Sequence, residues 1–223
     1  MEAFALLGII VIAIFSITSH EAAHGFVADR LGDHTAREQG RLTLNPLPHI
    51  DPLFTIVLPL VLIVTGAPFI FGGAKPVPIN PRRLRQPRRD TALVGAAGPF
   101  MNIAIAAILT GVFAATQSIG SQAWLQALAV GVFINALLAV FNLIPLPPLD
   151  GSRVVQYFLP AGALAFYHRI ERFGLLIILA LLWFAPQLQR PLLGAIGWLI
   201  GVIATPFGVQ SDITQVLAQA FAR

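Results

Sequence analysis

The chain has 223 residues, of which 57% are hydrophobic and only 11% charged, and its mean hydropathy is +0.79. A soluble globular domain carries about 45–50% apolar and about 25% charged residues. The two departures together exclude an ordinary soluble enzyme and read as an integral membrane protein. Each membrane helix needs about 20 apolar residues, so the length allows about five or six passes and leaves no room for a separate soluble domain. No cysteine is present, which removes disulfides, thiolate zinc sites and iron–sulfur clusters. The net charge of +4 is clustered rather than spread, and in a membrane protein such clustering reports orientation.

Residues Phe4 to Ile17 are almost all apolar, and the helical pattern continues to Ala28. A cleaved signal peptide would begin with basic residues, but residue 2 is Glu and the first basic residue is Arg30. The segment reads as an uncleaved membrane helix with its N-terminus outside the cytoplasm. Residues 29–52 are polar and mixed in charge, and "GRLTLNPLPHIDP" alternates before it meets prolines. That pattern predicts a short strand or hairpin followed by a turn. Residues Leu53 to Phe71 are apolar but interrupted by Pro59, Gly66 and Pro68.

The next loop, 72–90, holds Lys75, Arg82, Arg83, Arg85, Arg88 and Arg89 against Asp90, which places it in the cytoplasm. A nucleic-acid patch is the poorer reading, because no aromatic residue interleaves the arginines. Three more apolar stretches follow, at about 91–116, 122–149 and 170–208. The last is broken at 185–191 into two shorter helices. The final "SDITQVLAQAFAR" is amphipathic and suits the membrane interface.

The chemistry is carried by "SHEAAHG", with His20, Glu21 and His24 at the end of the first helix. Spacing i to i+4 puts both imidazoles on one helix face, as two ligands of one Zn²⁺ require. Glu21 is offset toward the open coordination position, where it can act as general base. Ionisable residues at the end of an apolar span are costly and mark function. The alternative is a pair of histidines that only hydrogen-bond between helices.

A catalytic zinc site normally needs a third protein ligand. Apart from Glu21, the carboxylate that closes an apolar span is Asp150, in "FNLIPLPPLDG", after a break at Pro145, Pro147 and Pro148. Taken alone, Pro followed by Asp-Gly reads as a helix stop and a turn. The need for a third ligand favours the ligand reading.

Depth constrains the topology. From Phe4 to His20 is 16 residues, about 24 Å of helix. A hydrocarbon core of about 30 Å puts the metal just inside the cytoplasmic edge. Two full passes, 91–116 and 122–149, return residue 150 to the side of residue 90. Residues 29–90 then begin and end on one side. The segment 53–71 is therefore expected to enter, turn near Gly66–Pro68 and come back as a re-entrant hairpin. The fold expected is an all-α polytopic membrane protein of about five to six transmembrane helices. It includes that hairpin and a short β element near the active site. Residues 1–223 form one membrane-embedded domain, with a catalytic core over about 3–155 and C-terminal helices over about 165–210.

"HEAAH" on a membrane helix, "AGPFMN" (97–102) on a later one and "FNLIPLPPLDG" (141–151) together resemble the site-2 proteases, which are intramembrane zinc metalloproteases. "GDHTAREQGRLTLNPLPHIDP" and "FGGAKPVPINPRRLRQPR" resemble the short bacterial-type members. The resemblance spans roughly residues 16–160. It implies one zinc per chain on His20, His24 and Asp150, with Glu21 as catalytic acid/base. It also implies a role for Asn142 in positioning the substrate or stabilising the oxyanion. An interhelical hydrogen bond is the other reading of Asn142.

The activity implied is endopeptidase cleavage in or near transmembrane segments of single-span membrane proteins, as in regulated intramembrane proteolysis. The setting implied is the lipid bilayer of a bacterial-type cell membrane, without nucleic acid. Asn45 and His49 are the substrate-binding candidates, with a structural role in the loop as the alternative. Gly95 and Gly98 read as packing residues, and Pro99 and Asn102 as residues that kink and knit the bundle.

There are departures from the family pattern. With only 19 residues before His20, the helix that precedes the zinc-binding helix in many members is not expected here, nor is a PDZ or CBS module at this length. Gly72 and Gly73 stand where a bulky aromatic is expected in the second place, and Phe54 where glycine is expected. The rival reading is a divalent-metal transporter using the same His and Asp ligands. It would have no need of Glu21.

Overall fold

Within lipid a chain has no water to satisfy its peptide groups, so uncharged apolar runs become helices. A computed structural model describes residues 3–66 and 72–222. The first run forms α1 (Ala3–Arg30), which closes on Arg30, a cation suited to the negative end of a helix dipole. Gly32, at φ +109°, then turns the chain into the four-residue α2 (Thr35–Glu38). Residues Pro52–Val57 are wound as π-helix and continue into α3 (Leu58–Val64). After an extended segment over 72–80, α4 (Pro87–Thr116) begins with proline at its first position, where no N–H is missed.

Ser121 caps α5 (Gln122–Asn142) by accepting from the Trp124 N–H. The prolines at 145, 147 and 148 stop it, and α6 (Asp150–Gln156) starts on the aspartate itself. Then come α7 (Ala161–Glu171), α8 (Gly174–Phe184), α9 (Gln189–Ala204) and α10 (Gln210–Phe221).

Among the described residues, four helical stretches are long and apolar enough to cross a membrane: Ala3–Arg30, Pro87–Thr116, Gln122–Asn142 and Gln189–Phe207. Pro52–Val64 and Gly174–Phe184 are apolar but shorter. The break read at 185–191 falls on the 3-10 turn Pro186–Leu188 between α8 and α9. The stretch read as 122–149 is helical only to Asn142.

Helices α1, α4 and α5 pack on one another, α6 packs on α4, and α9 and α10 lie on α5. Phe113, Leu128, Val132, Ile196 and Ile213 fill the apolar core between α4, α5, α9 and α10. Large apolar side chains such as Phe4, Phe100, Ile108 and Trp198 stay exposed on the outside, as a lipid-facing surface requires.

The β element expected near the active site does not form, and no strand occurs among the described residues. Over 41–50 the strand's donors are spent locally or missing. Asn45 N–H donates to Thr43 Oγ1 and Leu47 N–H to Asn45 Oδ1, while Pro46 and Pro48 have no N–H. The segment after Pro52 returns beside its start. Gly73 N–H donates to the Phe54 carbonyl at 3.1 Å, and Thr55 Oγ1 donates to the Gly73 carbonyl at 2.7 Å. The expected turn begins at Thr65–Gly66, with Gly66 at φ +65°. Pro68 and Phe71 lie outside the described residues.

Candidate active site

His20, Glu21 and His24 occupy consecutive turns of α1, and α6 delivers Asp150 to the same point. His20 Nε2 lies 3.0 Å from Asp150 Oδ2, and His24 Nε2 lies 3.2 Å from it. The two Nε2 atoms are 3.1 Å apart, and all three residues are buried.

Two glycines make this convergence possible. A Cβ on Gly98 of α4 would overlap the imidazoles of both His20 and His24. A Cβ on Gly151 would overlap the carbonyl oxygens of Leu143 and Ile144. The aspartate can therefore follow so closely on the end of α5 only with glycine after it. Packing, the role read for Gly98, is here packing against the histidines themselves.

The outer nitrogens decide the protonation of the inner ones. His24 Nδ1 sits 2.6 Å from the Val94 carbonyl, which can only accept, so the proton is on Nδ1. His20 Nδ1 donates to Asn102 Oδ1 at 2.6 Å. That orientation of Asn102 is fixed because its amide donates to Asn135 Oδ1 at 2.9 Å. Asn135 in turn donates to Ser16 Oγ at 2.8 Å and to the Gly131 carbonyl at 2.9 Å. Each imidazole thus turns an unprotonated Nε2 inward.

Three electron-pair donors face one another at 3.0–3.2 Å. They repel unless a cation lies between them. Metal–ligand bonds of about 2.0 Å give tetrahedral edges of about 3.3 Å. Two imidazoles and a carboxylate are a donor set that zinc accepts, with a fourth position left for water. The residues present fit a zinc ion.

Glu21 is not part of this cluster. Its Oε2 accepts from the Val77 N–H at 2.9 Å. Asn142, on the last turn of α5, donates to the Leu138 carbonyl of its own helix at 3.0 Å. His49 is buried, with its Nε2 donating to the Thr43 carbonyl, whereas Asn45 is exposed. The polar chain Asn102–Asn135–Ser16 and the Val77 amide were not singled out for this role in the sequence. An Asn inside an apolar span is the signal that could have found the first. No side chain signals the second.

A pair of histidines on one helix, a glutamate beside the first and an aspartate from another helix, set in a bundle of membrane-length helices, define the class: a membrane metallopeptidase. The model of "Peptidase family M50" matches residues 114–185. A Bacillus subtilis protein named "Putative zinc metalloprotease YwhC" is 38% identical over 181 residues, covering 78% of each chain. A Mycolicibacterium smegmatis protein named "Putative zinc metalloprotease Rip2" is 31% identical over 192 residues, 85% of this chain and 72% of its own. The Mycobacterium tuberculosis H37Rv protein of that name is 32% identical over 224 residues, 98% of this chain and 80% of its own. No solved structure matches the chain. The chain belongs to peptidase family M50, the site-2 protease family.

Proposed function

We propose that the protein is an intramembrane zinc endopeptidase that hydrolyses peptide bonds in or near transmembrane segments of other membrane proteins. The observation that carries this reading is the convergence of His20 Nε2, His24 Nε2 and Asp150 Oδ2, with Glu21 on the adjacent helical position. His20, His24 and Asp150 hold the zinc. When bound, it supplies a Lewis acid for the scissile carbonyl and acidifies a water.

Glu21 takes the proton from that water as its oxygen bonds to the carbonyl carbon. It then passes a proton to the amide nitrogen as the C–N bond breaks. Asn142, at the end of α5 close in sequence to Asp150, steadies the substrate or the developing oxyanion. The exposed Asn45 meets the substrate, and His49 shapes the loop beneath it. A helical substrate has its backbone bonded internally, so it must unwind before its carbonyl can be attacked.

The paired ends of 54–55 and 72–73 support a re-entrant hairpin over the intervening segment. The arginine-rich loop ahead of α4 supports a site near the cytoplasmic face. The test is cleavage of tagged single-span substrates by purified protein, wild type beside Glu21→Gln, with zinc measured on both. Cutting by wild type alone, with about one zinc on each, is the expected result. Transport of divalent metal that survives Glu21→Gln, with no cleavage by either form, would replace this reading with that of a transporter.

A further inference from the structure

The extended segment 72–80 runs from beside Phe54 toward the head of α4, and it places prolines on both sides of Val77. Proline has no N–H, so Val77 offers the one backbone donor between Pro76 and Pro78. That donor goes to Glu21. Alternate residues of an extended chain point the same way. The donors two and four residues earlier are spent likewise, Lys75 N–H on the His49 carbonyl at 2.8 Å and Gly73 N–H on the Phe54 carbonyl. Further along, Asn80 N–H donates to Asp33 Oδ2 at 2.5 Å.

Arg41 also holds the segment, through two successive carbonyls. Its Nη2 donates to the Lys75 carbonyl at 2.9 Å and to the Pro76 carbonyl at 3.3 Å. A trans peptide directs its N–H and C=O in opposite directions. The Pro76–Val77 peptide is therefore gripped between Arg41 on one side and Glu21 on the other. Arg41 is 9% exposed; its Nη2 donates to carbonyls rather than to a carboxylate, and its buried Nε has no hydrogen-bond partner among the described residues. Such burial is costly and is out of proportion to holding a surface loop. Gly25 lies one turn after Glu21 on the same face of α1. A Cβ there would stand 3.1 Å from Val77 Cγ1 and 3.0 Å from Leu42 Cδ1. The glycine lets the segment lie close enough for its amide to reach the carboxylate.

We propose that Arg41 is a positioning residue for Glu21. It fixes the Pro76–Val77 peptide, whose N–H holds Oε2 and leaves Oε1 free to face the reacting water. This rests on the peptidase reading above. A glutamate on a helix has three side-chain torsions to freeze, and a misplacement of about 1 Å costs on the order of 100-fold in rate.

The experiment compares Arg41→Met, Arg41→Lys, Val77→Pro and the double variant Arg41→Met/Val77→Pro with wild type. Cleavage and zinc content are read for every form, and hydrogen exchange at the Val77 amide for each form that has it. Arg41→Met is expected to lower kcat about 10–100-fold, with KM and zinc content unchanged. Arg41→Lys recovers part of the loss, because an ammonium can still donate to the Lys75 and Pro76 carbonyls. Val77→Pro removes the N–H and matches Arg41→Met, and the double variant loses no more, because both act through one peptide.

Val77 exchange is slow in wild type and speeds up in Arg41→Met and in Glu21→Ala, a readout that does not depend on cleavage. Wild-type kcat in Arg41→Met overturns the assignment. So do multiplicative losses in the double variant, loss of zinc together with activity, or Val77 exchange indifferent to Glu21→Ala. A zinc-loaded wild type that cuts no membrane substrate sinks the peptidase reading instead, and the proposal with it.

Discussion

Where α1, α4 and α5 meet, four polar side chains are bonded in sequence, from Ser16 through Asn135 and Asn102 to His20. Where α8 and α9 meet the end of α5, the lining is almost wholly aliphatic. It runs from Val140 and Leu149 to Ile178 and Leu192, around a cavity of ≈ 330 Å³. Both places lie beside the candidate site, since Leu149 immediately precedes Asp150. Apolar contact brings helices together but tolerates a void and small rotations. A directed hydrogen bond fixes a ring to within a few tenths of an ångström. The polar wiring is found where an imidazole must aim a lone pair, and the aliphatic packing where a helix needs only to be present.

This contrast is open to attack from several sides. The largest effect is expected from Gly98→Ala, which drives a methyl group into both imidazoles. Zinc binding and cleavage should both vanish while the protein still purifies as a folded, helical species. Asn102→Ala comes next. It strips His20 of its outer partner and should weaken zinc about 10–100-fold in a chelator competition. The stability cost should be about 1.2 kcal/mol, for two interhelical bonds, to His20 and Asn135, at about 0.6 kcal/mol each in a membrane bundle. Asn102→Asp, which keeps the acceptor, should restore much of the affinity.

On the aliphatic side the expected pattern reverses. Ile178→Ala on α8 should cost about 2–3 kcal/mol of stability, as a buried truncation does. Its zinc affinity should stay at the wild-type value. An Ile178→Ala protein that loses zinc as Asn102→Ala does would erase the distinction between the two regions.

The smallest effect concerns Asp33, outside the membrane helices. Burial disfavours its charged form. Hydrogen bonds from Thr35 Oγ1, Asn80 N–H and Thr35 N–H, with the Arg83 charge, outweigh this and hold its carboxyl below the ordinary value. A pKa lower in the folded than in the unfolded chain adds stability above the unfolded value, near 4. That stability is lost as pH falls through the folded value. Thermal unfolding in detergent from pH 7 to pH 3 should therefore show a drop for wild type that is shallower for Asp33→Asn.

Several parts of this were legible in the sequence for physical reasons. His20 and His24 declare themselves because i to i+4 spacing is a statement about helix geometry. Asp150 was legible only through the pair, because two histidines on one face need a third ligand, whereas Pro followed by Asp-Gly reads alone as a helix stop. The break at 185–191 was readable because Pro186, Gln187 and Gln189 interrupt an otherwise aliphatic run. The short strand or hairpin read in "GRLTLNPLPHIDP" does not form, because the alternation behind it speaks only of side chains. The local bonds of Thr43 and Asn45 and the two prolines remove the backbone donors a strand needs. Asn102 was read as a knitting residue because an Asn in a membrane helix bonds something in either case. Which partner it takes depends on how far α4 rotates against α1. Val77 was invisible, since the group that matters is an amide every non-proline residue possesses.

The central claim is that His20, His24 and Asp150 form one metal site with imidazole Nε2 and carboxylate oxygen as donors. X-ray absorption at the zinc edge on purified, zinc-loaded protein tests it most directly, beside Asp150→Ala. Expected is one zinc per chain with two imidazole nitrogens and oxygen ligands at about 2.0–2.1 Å, and loss of the bound metal in the variant. Zinc that sits on a single imidazole, or that is held equally well by Asp150→Ala, would contradict it.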